Sequence, residues 1–181
     1  MDELQLIAGC KNRNRESQKK LYELYARKIY GICLRYSSSV EAAQDLVHDG
    51  FLKVFDNIGS YSGKGSFEGW LKRIFINLAL EQIRKDKTFL HQTDDIQNIP
   101  DVVDSSTEDE ISLISEAELL KMIQELPKGY RTVFNLYAIE ELSHKEIASM
   151  LGINEVTSRS QYNRARQILQ TKVNEYLQKV S

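Results

Sequence analysis

The sequence predicts an all-α protein of two small helical domains joined by an acidic flexible linker, the C-terminal domain containing a helix-turn-helix. Three observations carry that expectation. Apolar residues recur at helical spacing over most of the 181 residues, with no strand-like alternation in competition. Two prolines and nine glycines leave few positions that break a helix. Between residues 88 and 110 the periodicity vanishes, and turn-formers and acids take over, which divides the chain into 1–87 and 111–181.

In the first part, residues 3–10 predict a short helix. A longer one follows from about Glu16 to Tyr36, with Leu21, Leu24, Tyr25, Ile29, Ile32, Cys33 and Tyr36 on one side, and Ser37, Ser38 and Ser39 break it. From about Val40 to Ile58 the apolar stripe is Ala43, Leu46, Val47, Phe51, Val54, Phe55 and Ile58, while Asp45, His48, Asp49, Lys53 and Asp56 take the other side. Gly50 inside that helix costs about 1 kcal/mol relative to alanine, so close packing or a partner contact is expected there. The loop GSYSGKG, 59–65, is expected to expose Tyr61 beside Ser62 and Lys64. The next helix has Phe67, Trp70, Leu71, Ile74 and Leu78 at core spacing, with Arg73, Asn77, Arg84 and Lys85 at its other positions.

Beyond the linker, Ile114, Ala117, Leu120, Ile123 and Leu126 mark one helix, and Pro127 opens another bearing Tyr130, Val133, Phe134, Tyr137 and Ala138. Ser143 followed three residues later by Glu146 is a capping box, so a helix starts there. Ile147, Ala148 and Leu151 give it an apolar side, and Gly152 supplies the left-handed residue that ends it. Ile153 then fills the corner between two helices. Asn154 caps the second, whose outer side is expected to carry Arg159, Ser160, Gln161, Asn163, Arg164 and Arg166 over an inner side of Tyr162, Ala165 and Leu169, continuing through Val173 and Leu177. In a DNA-binding unit of this kind the second helix enters the major groove, where Arg reads guanine and Asn or Gln reads adenine. A hairpin with a merely solvated basic face is the plainer alternative. The joint occurrence of capping box, small Ala148, Gly152 and a polar-basic face favours DNA.

The formal net charge of -2 hides segregation. Lys11, Arg13, Arg15, Lys19, Lys20, Arg27, Lys28 and Arg35 face only Glu16 and Glu23 in the same stretch, whereas Asp94 to Glu125 is strongly acidic, with Lys121 alone opposing. Cys10 and Cys33 are too isolated for a disulfide framework or a metal site. Neither a metal nor a cofactor is expected. An enzyme finds little footing, because no carboxylate pair, phosphate loop or metal cluster accompanies the neighbours Ser143 and His144. No apolar run reaches membrane-spanning length and the N-terminus lacks a signal-peptide core, so a cytoplasmic protein is expected.

Two stretches, AQDLVHDGFLKVFDNIGSYSGKGSFEGWLKRIFINLALEQIRK and LPKGYRTVFNLYAIEELSHKEIASMLGINEVTSRSQYNRAR, lie in this order across the linker. Together they resemble the extracytoplasmic-function (ECF) sigma factors of the sigma-seventy family. The resemblance implies a promoter-specificity subunit whose partners are core RNA polymerase and promoter DNA, with catalysis left to the polymerase. It also leaves room for an anti-sigma factor. Residues 1–87 would be domain two, which binds the polymerase clamp and melts the minus-ten element, and 111–181 domain four, which binds the minus-thirty-five element. On that mapping Asp45, His48, Asp49, Phe51, Leu52 and Lys53 lie in the clamp-binding helix, with Phe51 expected in the core. Tyr61, Ser62, Gly63, Lys64 and Gly65 fall in the loop that captures a flipped base, and Trp70, Arg73 and Asn77 in the adjoining helix. Arg159, Ser160, Gln161, Asn163, Arg164 and Arg166 face the upstream element. The chain departs from the family pattern at Val156, where a turn glycine is common, at Ser158 and at Gln161. Two alternatives stay open: an autonomous helix-turn-helix regulator that binds an operator, and a helical adaptor whose basic faces meet acidic proteins.

Overall fold

The computed structural model describes residues 2–85 and 112–180, so the linker expected at 88–110 and its acidic charges lie outside the described residues. The regular elements among the described residues are all helical. The chain divides into two compact units, Met1–Glu81 and Gln82–Ser181.

In the first unit, α1 (Glu3–Lys11), α2 (Arg15–Tyr36) and α3 (Val40–Asn57) each begin at a polar cap: Asp2 accepts from the Gln5 N–H, Asn14 from that of Ser17, and Ser39 from that of Ala42. A 3-10 turn, Ile58–Ser60, and the loop that follows lead to α4 (Phe67–Lys85). The core is built from Leu21, Ile29, Leu46, Phe51, Val54, Ile58, Phe67, Leu71 and Phe75, all almost fully buried. The inner side of α4 runs Phe67, Leu71, Phe75 and Ala79, with Ile76 and Leu80 beside it, whereas Trp70, Ile74 and Leu78 sit half-buried on the flank. The helix is rotated from the expected stripe because Phe75 is drawn against the backbone of α3. A Cβ on Gly50 would lie 2.0 Å from the Phe75 ring, which explains the glycine inside that helix. Phe51 meets Phe75 edge-on at 5.3 Å. Leu24 stands exposed on α2, outside the stripe expected to hold it.

In the second unit, α5 (Glu116–Gln124) is capped by Ser115, and α6 (Lys128–Phe134) is opened by Pro127. Ile114 packs from before α5, and Ala117 is exposed. The Arg131 guanidinium is buried and donates to the Gln124 carbonyl at 2.7 Å, which closes the C-terminal end of α5; burial lowers its pKa. A π turn, Asn135–Ile139, continues α6. Tyr137 and Ala138, expected on the apolar side, lie within that wider turn and are exposed. Then come α7 (His144–Leu151) and α8 (Glu155–Val180). Leu126, Val133, Leu136, Ile147, Leu151 and Ala165 form the core between them, and Ile114, Met122 and Val173 form a second cluster toward the end of α8.

Candidate promoter and polymerase surfaces

Local chemistry sets the α7–α8 hairpin. The Glu146 N–H donates to the Ser143 hydroxyl at 3.3 Å and the Ser143 N–H to the Glu146 carboxylate at 2.8 Å, and these bonds to Ser143 lower the Glu146 pKa. Gly152 adopts φ 69°, the left-handed conformation that a side chain resists, and Ile153 N–H then returns to the Ala148 carbonyl at 3.1 Å. Asn154 accepts from the Thr157 N–H at 2.7 Å and starts α8. Buried Ala148 keeps the crossing close.

The rotation of α8 differs from expectation at one site residue. Gln161, expected on the outer side, is only 2% exposed and points inward. The inner side is Ser158, Gln161 and Ala165, at successive spacings of three and four, and Tyr162 lies on its flank. A specific contact sets this register: His144 Nδ1 and the Ser158 hydroxyl share a hydrogen bond at 2.8 Å. The His144 ring stacks on Tyr137 at 4.3 Å, and Tyr162 meets Tyr137 at 4.4 Å. Burial, then the nearby Arg159 charge, lowers the His144 pKa. Arg159, Asn163 and Arg166 are exposed on the outer side, with Ser160 and Arg164 partly so. Arg159 is paired with Glu155 at 3.0 Å, an exposed ion pair of little strength. Val156, 68% exposed, stands at the start of the same helix.

Tyr61 also lies elsewhere than its loop position suggests. Expected as an exposed loop aromatic, it is 8% exposed. Gly63 and Gly65, at φ 78° and 79°, turn the loop back on itself and direct the ring inward. The Tyr61 hydroxyl donates to the Gly65 carbonyl at 2.8 Å, and the ring packs against Phe67 at 5.1 Å and Trp70 at 5.5 Å. Ser62, Gly63, Lys64 and Gly65 remain outside. Trp70, stacked on Phe67 and half-buried, shares an α4 face with exposed Arg73 and Asn77 one and two turns on. The aromatic nearest solvent in this region is therefore Trp70, resting on Tyr61.

On α3, Asp45, His48, Asp49, Leu52 and Lys53 are all exposed, Leu52 by 55%, while Phe51 is core as expected. Lys53 pairs with Glu81 at 3.2 Å. A shallow groove between α2 and α3 runs into this face, lined by Tyr22, Arg27, Tyr30, Gln44, Val47 and His48. The α2 side of it was missed in the sequence, where Tyr22, off the apolar stripe, was the available signal. Among the described residues no cluster of three or more His, Cys, Asp or Glu could hold a metal, and no helix is long and apolar enough to cross a membrane.

A family model for Sigma-70 region 2 matches residues 21–89, and one for Sigma-70, region 4 matches residues 116–169. The ECF RNA polymerase sigma factor SigW of Bacillus subtilis is 31% identical over 173 residues, covering 90% of this chain and 92% of that protein. The RNA polymerase sigma-H factor of Pseudomonas aeruginosa is 28% identical, covering 91% and 90%. Among solved structures, the sigma factor RpoE in complex with the anti-sigma factor NepR, from Bartonella quintana, shares the fold at a TM-score of 0.51 and 22% identity, covering 87% of this chain and 96% of that one. Sigma-70 regions two and four thus occur here in order on one chain, and this chain belongs to the ECF RNA polymerase sigma factors of the sigma-70 family.

Proposed function

We propose that this chain directs core RNA polymerase to specific promoters and assists their melting, with residues 1–87 acting as domain two, 88–110 as linker and 111–181 as domain four. The observation that carries the upstream half is the outer side of α8, where Arg159, Ser160, Asn163, Arg164 and Arg166 follow a capped, glycine-turned hairpin. Gln161 is not among them, since its side chain is spent on the interior. For the minus-ten element the loop Ser62 to Gly65 and the face of Trp70, Arg73 and Asn77 offer backbone, cation and aromatic surface to an unpaired strand. Asp45, His48, Asp49, Leu52 and Lys53 form the surface for the polymerase clamp. RNA synthesis belongs to the polymerase, and the chain works in the cytoplasm without a cofactor. An anti-sigma factor is a further partner in this proposal, supported by the NepR bound to the Bartonella quintana protein. The match of residues 21–89 to region 2 leaves an autonomous operator-binding regulator without support.

The test is holoenzyme binding to an upstream promoter duplex. Arg159→Ala and Arg164→Ala are each expected to lose about 1–3 kcal/mol of sequence discrimination where the arginine reads a base, and a shallower salt dependence where it meets a phosphate. Binding unchanged in both variants, at all salt concentrations, would remove α8 as the reading helix.

A further inference from the structure

We infer that Lys11, at the C-terminal end of α1, is a positioning residue for the promoter-facing loop, which it fixes through the backbone carbonyl of Tyr61. The inference rests on the assignment of Ser62 to Gly65 and Trp70 to the minus-ten strand.

Lys11 Nζ donates to the Tyr61 carbonyl at 2.8 Å, across fifty positions of sequence, and lies 6.0 Å from the centre of the Tyr61 ring. The helix that carries it is anchored. Leu6, Ile7 and Cys10 are buried, a Cβ on Gly9 would lie 2.1 Å from the Ser17 hydroxyl, and the Tyr25 hydroxyl bonds to the Glu3 carboxylate. Tyr25 in turn packs on Phe67, the residue that carries the Tyr61 ring. Lys11 thus stands on the same support as the pedestal of the loop.

The carbonyl it holds is the entry to Ser62–Gly63–Lys64–Gly65, two of whose residues are glycines in left-handed conformation. Glycine-rich backbone loses the most conformational freedom on ordering. The internal bond from the Lys64 N–H to the Ser62 hydroxyl is long, at 3.4 Å. The loop is therefore tied at Tyr61: through the ring, through the hydroxyl on Gly65, and through Lys11 on the carbonyl. An ammonium donor makes that third tie a charge-assisted bond. Ordering the loop before the strand arrives lowers the conformational cost of capture, so the effect of Lys11 falls on strand binding more than on folding.

Lys11→Met keeps the aliphatic stem and removes the donor, and Lys11→Arg keeps a donor and the charge. Holoenzyme carrying Lys11→Met should bind a single-stranded minus-ten oligonucleotide roughly tenfold more weakly, with core polymerase affinity, upstream duplex binding and thermal midpoint near wild type. Lys11→Arg should restore most of the loss. Trp70 is the only tryptophan of the chain, so its acrylamide quenching in the full-length free protein reports the loop directly and should rise in Lys11→Met. Unchanged strand binding in Lys11→Met, with clear losses in Lys64→Ala and Trp70→Ala, would overturn the inference and leave the loop assignment standing. No loss in any of the three would overturn the loop assignment, and the inference with it. A fall in thermal midpoint that matches the binding loss and that Lys11→Arg does not reverse would make Lys11 a purely structural residue, which also overturns the inference.

Discussion

Tyr61→Ala is expected to destabilise the N-terminal unit by about 3–5 kcal/mol, the cost of deleting a buried aromatic, and so to lower its unfolding midpoint by many degrees. The ring is enclosed by Phe67 and Trp70, and its hydroxyl is engaged by the Gly65 carbonyl. Tyr61→Phe keeps the packing and loses one hydrogen bond, about 0.5–1.5 kcal/mol. Trp70→Ala should separate folding from melting, because Trp70 is half-buried and shares its face with Arg73 and Asn77. Extracting a base costs a few kcal/mol, and stacking on an aromatic returns roughly 1–3 kcal/mol. Trp70→Ala should therefore reduce permanganate reactivity of the melted minus-ten region at a stability loss smaller than that of Tyr61→Ala. Thermal unfolding of the free protein and footprinting of the holoenzyme measure the two effects. A Tyr61→Ala variant as stable as wild type would contradict the pedestal role.

Gly50→Ala is the other large effect. Alanine recovers about 1 kcal/mol of helix propensity, but its methyl would sit 2.0 Å from Cε1 of Phe75, a ring with no exposed surface, held edge-on by Phe51. Overpacking of this kind costs typically about 1–3 kcal/mol and sometimes more, so the net change is a loss. Pairing it with Phe75→Leu, which shortens the obstructing side chain, should recover part of that loss. The two substitutions are thus coupled by about 0.5–3 kcal/mol in a double-mutant cycle. Denaturant unfolding of the four proteins measures it. Additive effects, or a Gly50→Ala protein more stable than wild type, would contradict the α3–α4 packing.

What was legible in the sequence is what short-range chemistry decides. The Ser143–Glu146 box, the Gly152 stop and the Asn154 cap each act within four residues, and the structure has all three. Gly50 was legible as an anomaly, but its partner Phe75 was not, because the rotation of α4 depends on what approaches it. The same holds for Gln161. A glutamine beside arginines reads as outward, yet the bond between His144 and Ser158 turns α8 so that Ser158, Gln161 and Ala165 face in. Stepping back from Ala165 by four and then three was the available signal. In the loop, the glycines announced freedom but not direction. Two left-handed residues bring Tyr61 inward, and that depends on Phe67 and Lys11 waiting there.

As a sigma factor, this chain should confer promoter-specific initiation on a polymerase that lacks it. Run-off transcription with purified core RNA polymerase on a genomic fragment library tests it most directly. Discrete transcripts should arise only when the chain is present, and should fade in the Arg159→Ala, Arg164→Ala double variant while polymerase binding persists. Transcription no greater than with core polymerase alone, together with tight sequence-specific duplex binding by the free chain, would instead make it an autonomous operator-binding regulator.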